Sequence, residues 1–206
     1  MNLLSILGLA FGAAWSSGIN LYATVATLGL LQHYQVAHLP GGLQVLDNWV
    51  VIGVALFMYA VEFVADKVPL VDTLWDALHT FIRVPAGAIV AGAATSDLNP
   101  TVQVVALLLG GGLALSTHGT KATARAAVNT SPEPFSNWTL SILEDVITIG
   151  AAVLAVLNPV VMLVVILIFL LLLAWILPKV LRRLRGMLAA ARNFFRGKPL
   201  SEISRS

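Results

Sequence analysis

The chain has 206 residues, 58% of them hydrophobic and only 11% charged, with a mean hydropathy of +0.89. An ordinary soluble domain carries about 25% charged residues, so the composition excludes one and points to a polytopic membrane protein. The net charge is +2 and cysteine is absent, which removes disulfides, thiolate metal sites and cysteine nucleophiles from the available chemistry.

A spanning helix takes about 20 apolar residues, and six segments qualify: about 3–31, 48–65, 73–95, 102–124, 139–157 and 160–178. The expected fold is an all-α transmembrane bundle of about six spans. The first segment has no basic start and is too long for a cleavable leader, so the N-terminus is expected to be retained. It is also too long for a plain span at about 1.5 Å per residue, and "SSGIN", Ser16 to Asn20, interrupts it. A tilt, kink or broken helix is expected there. The alternative is a re-entrant pair of half-helices that returns residue 32 to the side of the N-terminus.

The next two segments carry "VEFVADKVPLVDTLWDALHTFIRVPAG". Glu62 and Asp66 are one helical turn apart, and Asp72, Asp76, His79 and Arg83 follow at spacings of four, three and four, which places those four along one helix face. Ionisable groups at membrane depth are costly unless paired or hydrated, so each is a candidate functional residue. Interfacial ion pairs, Asp76 or His79 with Arg83 and Asp66 or Asp72 with Lys67, are the structural alternative. Pro85 removes a backbone donor and is expected to kink its helix.

The fourth segment contains "LLLGGGLAL", where a break or close helix packing is expected, and ends in His118, Lys121 and Arg125. "NTSPEPFSN" follows, with Pro132 and Pro134 opposing helix and Asn129, Ser136 and Asn137 suited to capping. The expectation is a hairpin that folds under the bundle and brings its cations to the acidic stripe. The fifth segment adds Glu144 and Asp145, and the sixth has no polar residue.

Eight of the twelve Lys and Arg lie from Lys179 onward. Residues 179–206 therefore read as a basic amphipathic cytoplasmic tail on anionic lipid headgroups, with Leu181, Leu184, Met187 and Leu188 on one side. Nucleic acid is not an expected partner. Counting back through six spans places both termini in the cytoplasm, and the outer segments 32–47, 96–101 and 158–159 contain no Lys or Arg, as the positive-inside rule asks. Without the tail, residues 1–178 hold four cations against nine acids.

"SSGINLYAT" aligns loosely with "THGTKATAR", matching Gly18 with Gly119 and Asn20 with Lys121, and an acid follows in each half, Glu62 and Glu144. Two three-span halves, 1–98 and 99–178, would form an inverted repeat with broken helices.

The motifs "SGINLY", "EFVADKVPLVD", "WDALHTFIR", "HGTKATARAAVNTSPEPFSN" and "SILED", across roughly residues 8–160, resemble the bacterial membrane family catalogued as domain of unknown function 4126. The resemblance implies an integral protein of the bacterial cytoplasmic (inner) membrane with these polar segments as its signature. It implies no activity.

The candidate ligand- or ion-binding residues are thus Asn20, Glu62, Asp66, Asp72, Asp76, His79, Arg83, His118, Lys121, Arg125, Asn129, Glu144 and Asp145. A small transporter or channel for an ion or small solute fits them best. A metal-dependent enzyme acting on a phosphorylated lipid is the alternative, with a divalent cation on Asp72, Asp76 and His79 and phosphate on Arg83, Lys121 and Arg125. A non-catalytic scaffold is the third reading, and homo-oligomerisation is left open.

Overall fold

The computed structural model describes residues 1–129 and 134–195, with side chains except at positions 69, 129, 134, 184 and 187–195. Among these residues there are only helices: α1 (Leu3–Ile19), α2 (Leu21–His33), the 3-10 helix α3 (Gly41–Asp47), α4 (Trp49–Ala65), α5 (Pro69–Ala94), α6 (Pro100–Asn129), α7 (Pro134–Leu157) and α8 (Pro159–Phe195). Residues 1–166 form one compact unit, and a second begins at Leu167 inside α8.

All six expected apolar segments are helical. Four helices, α5 to α8, are long and apolar enough to cross a membrane, and α3 with α4, bent by 77°, makes a fifth crossing when counted as one span. The protein is a multi-pass integral membrane protein.

The first segment takes the re-entrant alternative. Asn20 adopts an extended backbone (φ −145°, ψ 103°) that ends α1, and its side-chain oxygen accepts from Ala23 N at 2.9 Å, capping α2. One residue therefore closes one helix and opens the next. Neighbours fix the directions. Ala14 lies against Gly110 and Gly18 against Ala114 and Thr117, so α1 runs parallel to α6. Gly8 touches Pro159 and Gly12 touches Ala155, so α1 runs against α7. Tyr22 meets His79 and Gly29 meets Leu46 and Ile52, so α2 climbs back to the end where α1 began.

That end, here the proximal end, also holds the segment 34–48 and the turn 95–99, where Gly42 N donates to Ser96 Oγ at 2.9 Å. The distal end holds the turn at Asp66–Val68 and the close of α6. The N-terminus thus sits at the end of the bundle opposite Lys67, and the all-helical architecture is roughly that of the six expected apolar segments. α1 and α6 run parallel, whereas the first helices of two inverted halves would run in opposite directions.

Small residues let α1 enter the bundle. A methyl group at Gly18 would overlap Thr117 and the Ala114 backbone, and one at Gly110 would stand 2.8 Å from the Gly87 carbonyl. Close backbone approach of this kind is how helices pack without a hydrophobic drive between them. Neither Pro85 nor Gly110–Gly112 breaks its helix: α5 and α6 run continuously through them. Packing, rather than exposed backbone, uses the glycines. Pro134 begins α7 instead of opposing helix, as the missing N–H of proline permits in a first turn. Residues 130–133, the rest of the expected "NTSPEPFSN" turn, lie outside the described residues. So do residues 196–206 of the tail and the side chains of Leu184, Met187 and Leu188; the helix itself runs through Pro178 to Phe195.

Candidate functional site

Four helices and the tip of the α1–α2 hairpin turn their polar residues to one place. On α5, the expected stripe Asp72, Asp76, His79 and Arg83 is buried throughout. On α6, His118, Lys121 and Arg125 repeat at one-turn spacing, and on α7 Asn137, Ser141, Glu144 and Thr148 do the same with Asp145 beside them; all are buried. Glu62 and Asp66 come from the last turn of α4, and Asn20 from the hairpin tip. Helical spacing alone explains why each set shares a face. Twelve of the thirteen candidates named from sequence converge here; the Asn129 side chain lies outside the described residues.

Arg83 is wholly buried and donates from Nη2 to Glu62 Oε1 at 2.5 Å and from Nη1 to Asp76 Oδ1 at 3.1 Å. Nη1 also donates to His118 Nδ1 at 2.9 Å. Because a guanidinium only donates, His118 Nδ1 is an acceptor, and the ring is neutral with its proton on Nε2, facing Thr80 Oγ1 at 2.8 Å and the Asp76 carbonyl at 3.2 Å. His79 donates from Nδ1 to the Trp75 carbonyl at 2.8 Å, and its Nε2 stands 3.1 Å from the Tyr22 hydroxyl.

Arg125 holds the distal half. Nε contacts both Glu144 oxygens at 3.2 and 3.0 Å, and Nη2 donates to Glu144 Oε2 at 2.6 Å and Asp66 Oδ2 at 3.0 Å. Nη1 donates to the Asp66 carbonyl and to Asn137 Oδ1, both at 2.9 Å, and faces Asp72 Oδ1 at 3.5 Å. Asn137, expected as a cap, is a ligand of this guanidinium instead. Lys121 stands between the two arginine groups and touches none of its partners closely: Glu62 and Asp66 are at 3.4 Å, Glu144 at 3.6 Å and Asp76 at 3.9 Å.

The expected pairing of Asp76 with Arg83 is present, whereas Asp66 and Asp72 pair with Arg125 and not with Lys67. Lys67 donates back to the Phe63 carbonyl at 2.9 Å and reaches Ser141 Oγ at 3.5 Å. Burial at this turn lowers its ammonium below the usual lysine range, against the opposing pull of Asp145 and Asp66. The divalent site suggested for Asp72, Asp76 and His79 does not form: each has a different partner, and no group of three His, Asp or Glu among the described residues is arranged to hold a metal.

The charges do not balance. Among the described residues the buried core holds six carboxylates, Glu62, Asp66, Asp72, Asp76, Glu144 and Asp145, against the three cations Arg83, Lys121 and Arg125. Glu62 Oε2, Asp66 Oδ1, Asp76 Oδ2 and Asp145 Oδ2 accept no hydrogen bond from the described residues. Asp145 has only neutral hydrogen-bond partners, Asn20 Nδ2 at 3.1 Å and the Tyr59 hydroxyl. A buried polar atom left without a partner costs about 1–3 kcal/mol, more when charged, so the surplus is energetically conspicuous.

Space adjoins the network. A cavity of about 180 Å³ between α5 and α6 is lined by Thr73, Asp76, Ala77, Thr80, Ala122, Arg125 and Ala126. Two largely apolar grooves, about 340 and 450 Å³, flank α2.

The family model of domain of unknown function 4126 matches residues 7–179. The chain belongs to this family. The match takes in every helix that supplies the polar core, so the network is built entirely from the family's own span. No curated protein matches the chain, and no solved structure matches it. Membership in the 4126 family assigns no activity.

Sequence reasoning missed Tyr22, Tyr59, Thr80 and Ser141. Tyr22 stands two residues after Asn20 in the motif "SGINLY", and the hairpin that carries it to His79 is what gives it a role.

Proposed function

We propose that the protein is a small transporter or channel that moves an ion or small solute through the polar core around Lys121. One observation carries this reading: six buried carboxylates against three cations, with four carboxylate oxygens lacking a partner. A network that served only to pin helices together would be expected to balance, because unpaired buried charge costs several kcal/mol. A surplus held in place is the arrangement of a site that exchanges charge with a ligand. A re-entrant hairpin whose tip reaches that site fits the reading, since irregular backbone at membrane depth is tolerated where it meets protein or a hydrated path.

We place the distal end in the cytoplasm of a bacterial inner membrane. Lys67 lies at that end, and the proximal segments 32–47, 96–101 and 158–159 hold no Lys or Arg, in keeping with the positive-inside rule. The basic tail then suits anionic headgroups.

The test is flux through liposomes containing the purified protein, against empty liposomes and the Asp66→Asn variant. Small-ion or small-solute flux above the empty control, reduced at least tenfold in the variant, is expected. Flux equal to the empty control for sodium, potassium, protons, chloride and glycerol alike would reject the reading.

A further inference from the structure

We propose that the polar core binds a small monovalent cation that enters through the cavity between α5 and α6, with Asp76 as the first carboxylate it meets. The inference deepens the transport reading and rests on it, since it names the ligand class of the same site.

The sign of the ligand follows from the charge count. His118 is neutral by its hydrogen-bond partner, since its Nδ1 accepts from the Arg83 guanidinium. Among the described buried residues, six carboxyl groups then stand against three cations, so acidic groups outnumber basic ones inside the bundle. An anion would add to that surplus, and a neutral solute would leave it untouched. Lys121 has no carboxylate oxygen closer than 3.4 Å, so it does not saturate the acids around it. A divalent ion is disfavoured by layout, because such ions take several carboxylates converging on one point and no such group exists among the described residues.

The route follows from the cavity. Asp76 and Arg125 belong both to its wall and to the network, so the two are continuous. Arg125 is fully engaged by Glu144, Asp66 and Asn137. Asp76 is not: Oδ1 accepts from Arg83, Oδ2 is buried beside the cavity wall and accepts no hydrogen bond from any described residue, and the residue as a whole is 5% exposed. The Thr80 hydroxyl spends its proton on the Asp76 carbonyl at 3.0 Å, leaving oxygen lone-pair capacity on that wall. The remaining lining is Ala77, Ala122 and Ala126, small enough to keep the cavity open; Ala77 and Ala126 reach the exposed surface. The volume of about 180 Å³ accepts an alkali ion with attendant water, or ammonium, and N-methyl-glucamine is far bulkier than either.

The experiment is thermal unfolding of the full chain in detergent at fixed pH and ionic strength, with sodium, potassium, ammonium or N-methyl-glucamine as the chloride salt. At least one small cation should raise Tm over N-methyl-glucamine by about 3 °C or more, in a saturable manner. Asp76→Asn should abolish the rise. Should that variant fail to fold, Ala122→Leu decides, since it keeps every charge and fills the cavity; it too should abolish the rise. Equal Tm in all four salts overturns the inference, as does a rise that survives Ala122→Leu. Stabilisation by acid pH alone, indifferent to salt, also overturns it, because the surplus acids then simply hold protons. Cation stabilisation without liposome flux would reject transport and keep the site; flux without cation stabilisation would do the reverse.

Discussion

Arg125 and Glu144, from neighbouring helices α6 and α7, are joined by three contacts, Nε to both carboxylate oxygens at 3.2 and 3.0 Å and Nη2 to one of them at 2.6 Å. The same guanidinium serves Asp66 and faces Asp72. One cation therefore neutralises acids from α4, α5 and α7.

Arg125→Gln should accordingly cost about 3–5 kcal/mol, the usual result of removing one partner from a buried ionic group. Thermal unfolding in detergent should show a much lower Tm, or the variant should fail to accumulate in membranes. Adding Glu144→Gln should recover part of the loss. An Arg125→Gln protein as stable as the parent would show that the pairing carries little of the fold.

The hairpin predicts labelling by side. In this cysteine-free chain, single cysteines at Leu3, Val36 and Asp97 should react with an impermeant thiol reagent from one side of the membrane. A cysteine at Val68 should react only from the other. Leu3 reacting from the Val68 side would mean that the first segment crosses the membrane after all.

Two classes of glycine should behave in opposite ways. Gly18→Ala drives a methyl group into Thr117 and the Ala114 backbone and should lower stability by about 1–3 kcal/mol, as overpacking does. Gly112→Ala and Gly150→Ala have nothing within 4 Å and should be neutral or stabilising by about 0.4–1 kcal/mol. Comparing the three Tm values checks this, and a destabilised Gly112→Ala alongside a normal Gly18→Ala would contradict the packing of α1 against α6.

The polar core was legible in the sequence because helical periodicity is a local property. Asp72, Asp76, His79 and Arg83 had to share a face once α5 formed, and His118, Lys121 and Arg125 had to share one on α6. Which cation met which acid was not legible. Lys67 is adjacent to Asp66 in the chain, yet adjacent residues on a helix point apart, and its ammonium folds back to Phe63 while Asp66 turns inward to Arg125. The course of the first segment was hidden for a different reason. The first charged residue of the chain is Asp47, so no Lys or Arg marks which side α1 starts from, and charge counting had nothing to read. Its direction is set by small-residue contacts at Gly8, Gly12 and Gly18, which involve helices far along the chain.

The surplus of acids is tested most directly at Asp145, whose hydrogen-bond partners, Asn20 and Tyr59, are both neutral. Asp145→Asn keeps the shape and an acceptor for Asn20 while deleting one carboxylate whose hydrogen-bond partners are neutral. Thermal stability and flux per folded molecule should be measured on the same preparation in parallel. Tm equal to or above the parent's, together with flux reduced at least tenfold, is the expected result. A lowered Tm with undiminished flux per folded molecule would contradict it, and would make the buried charges a structural device.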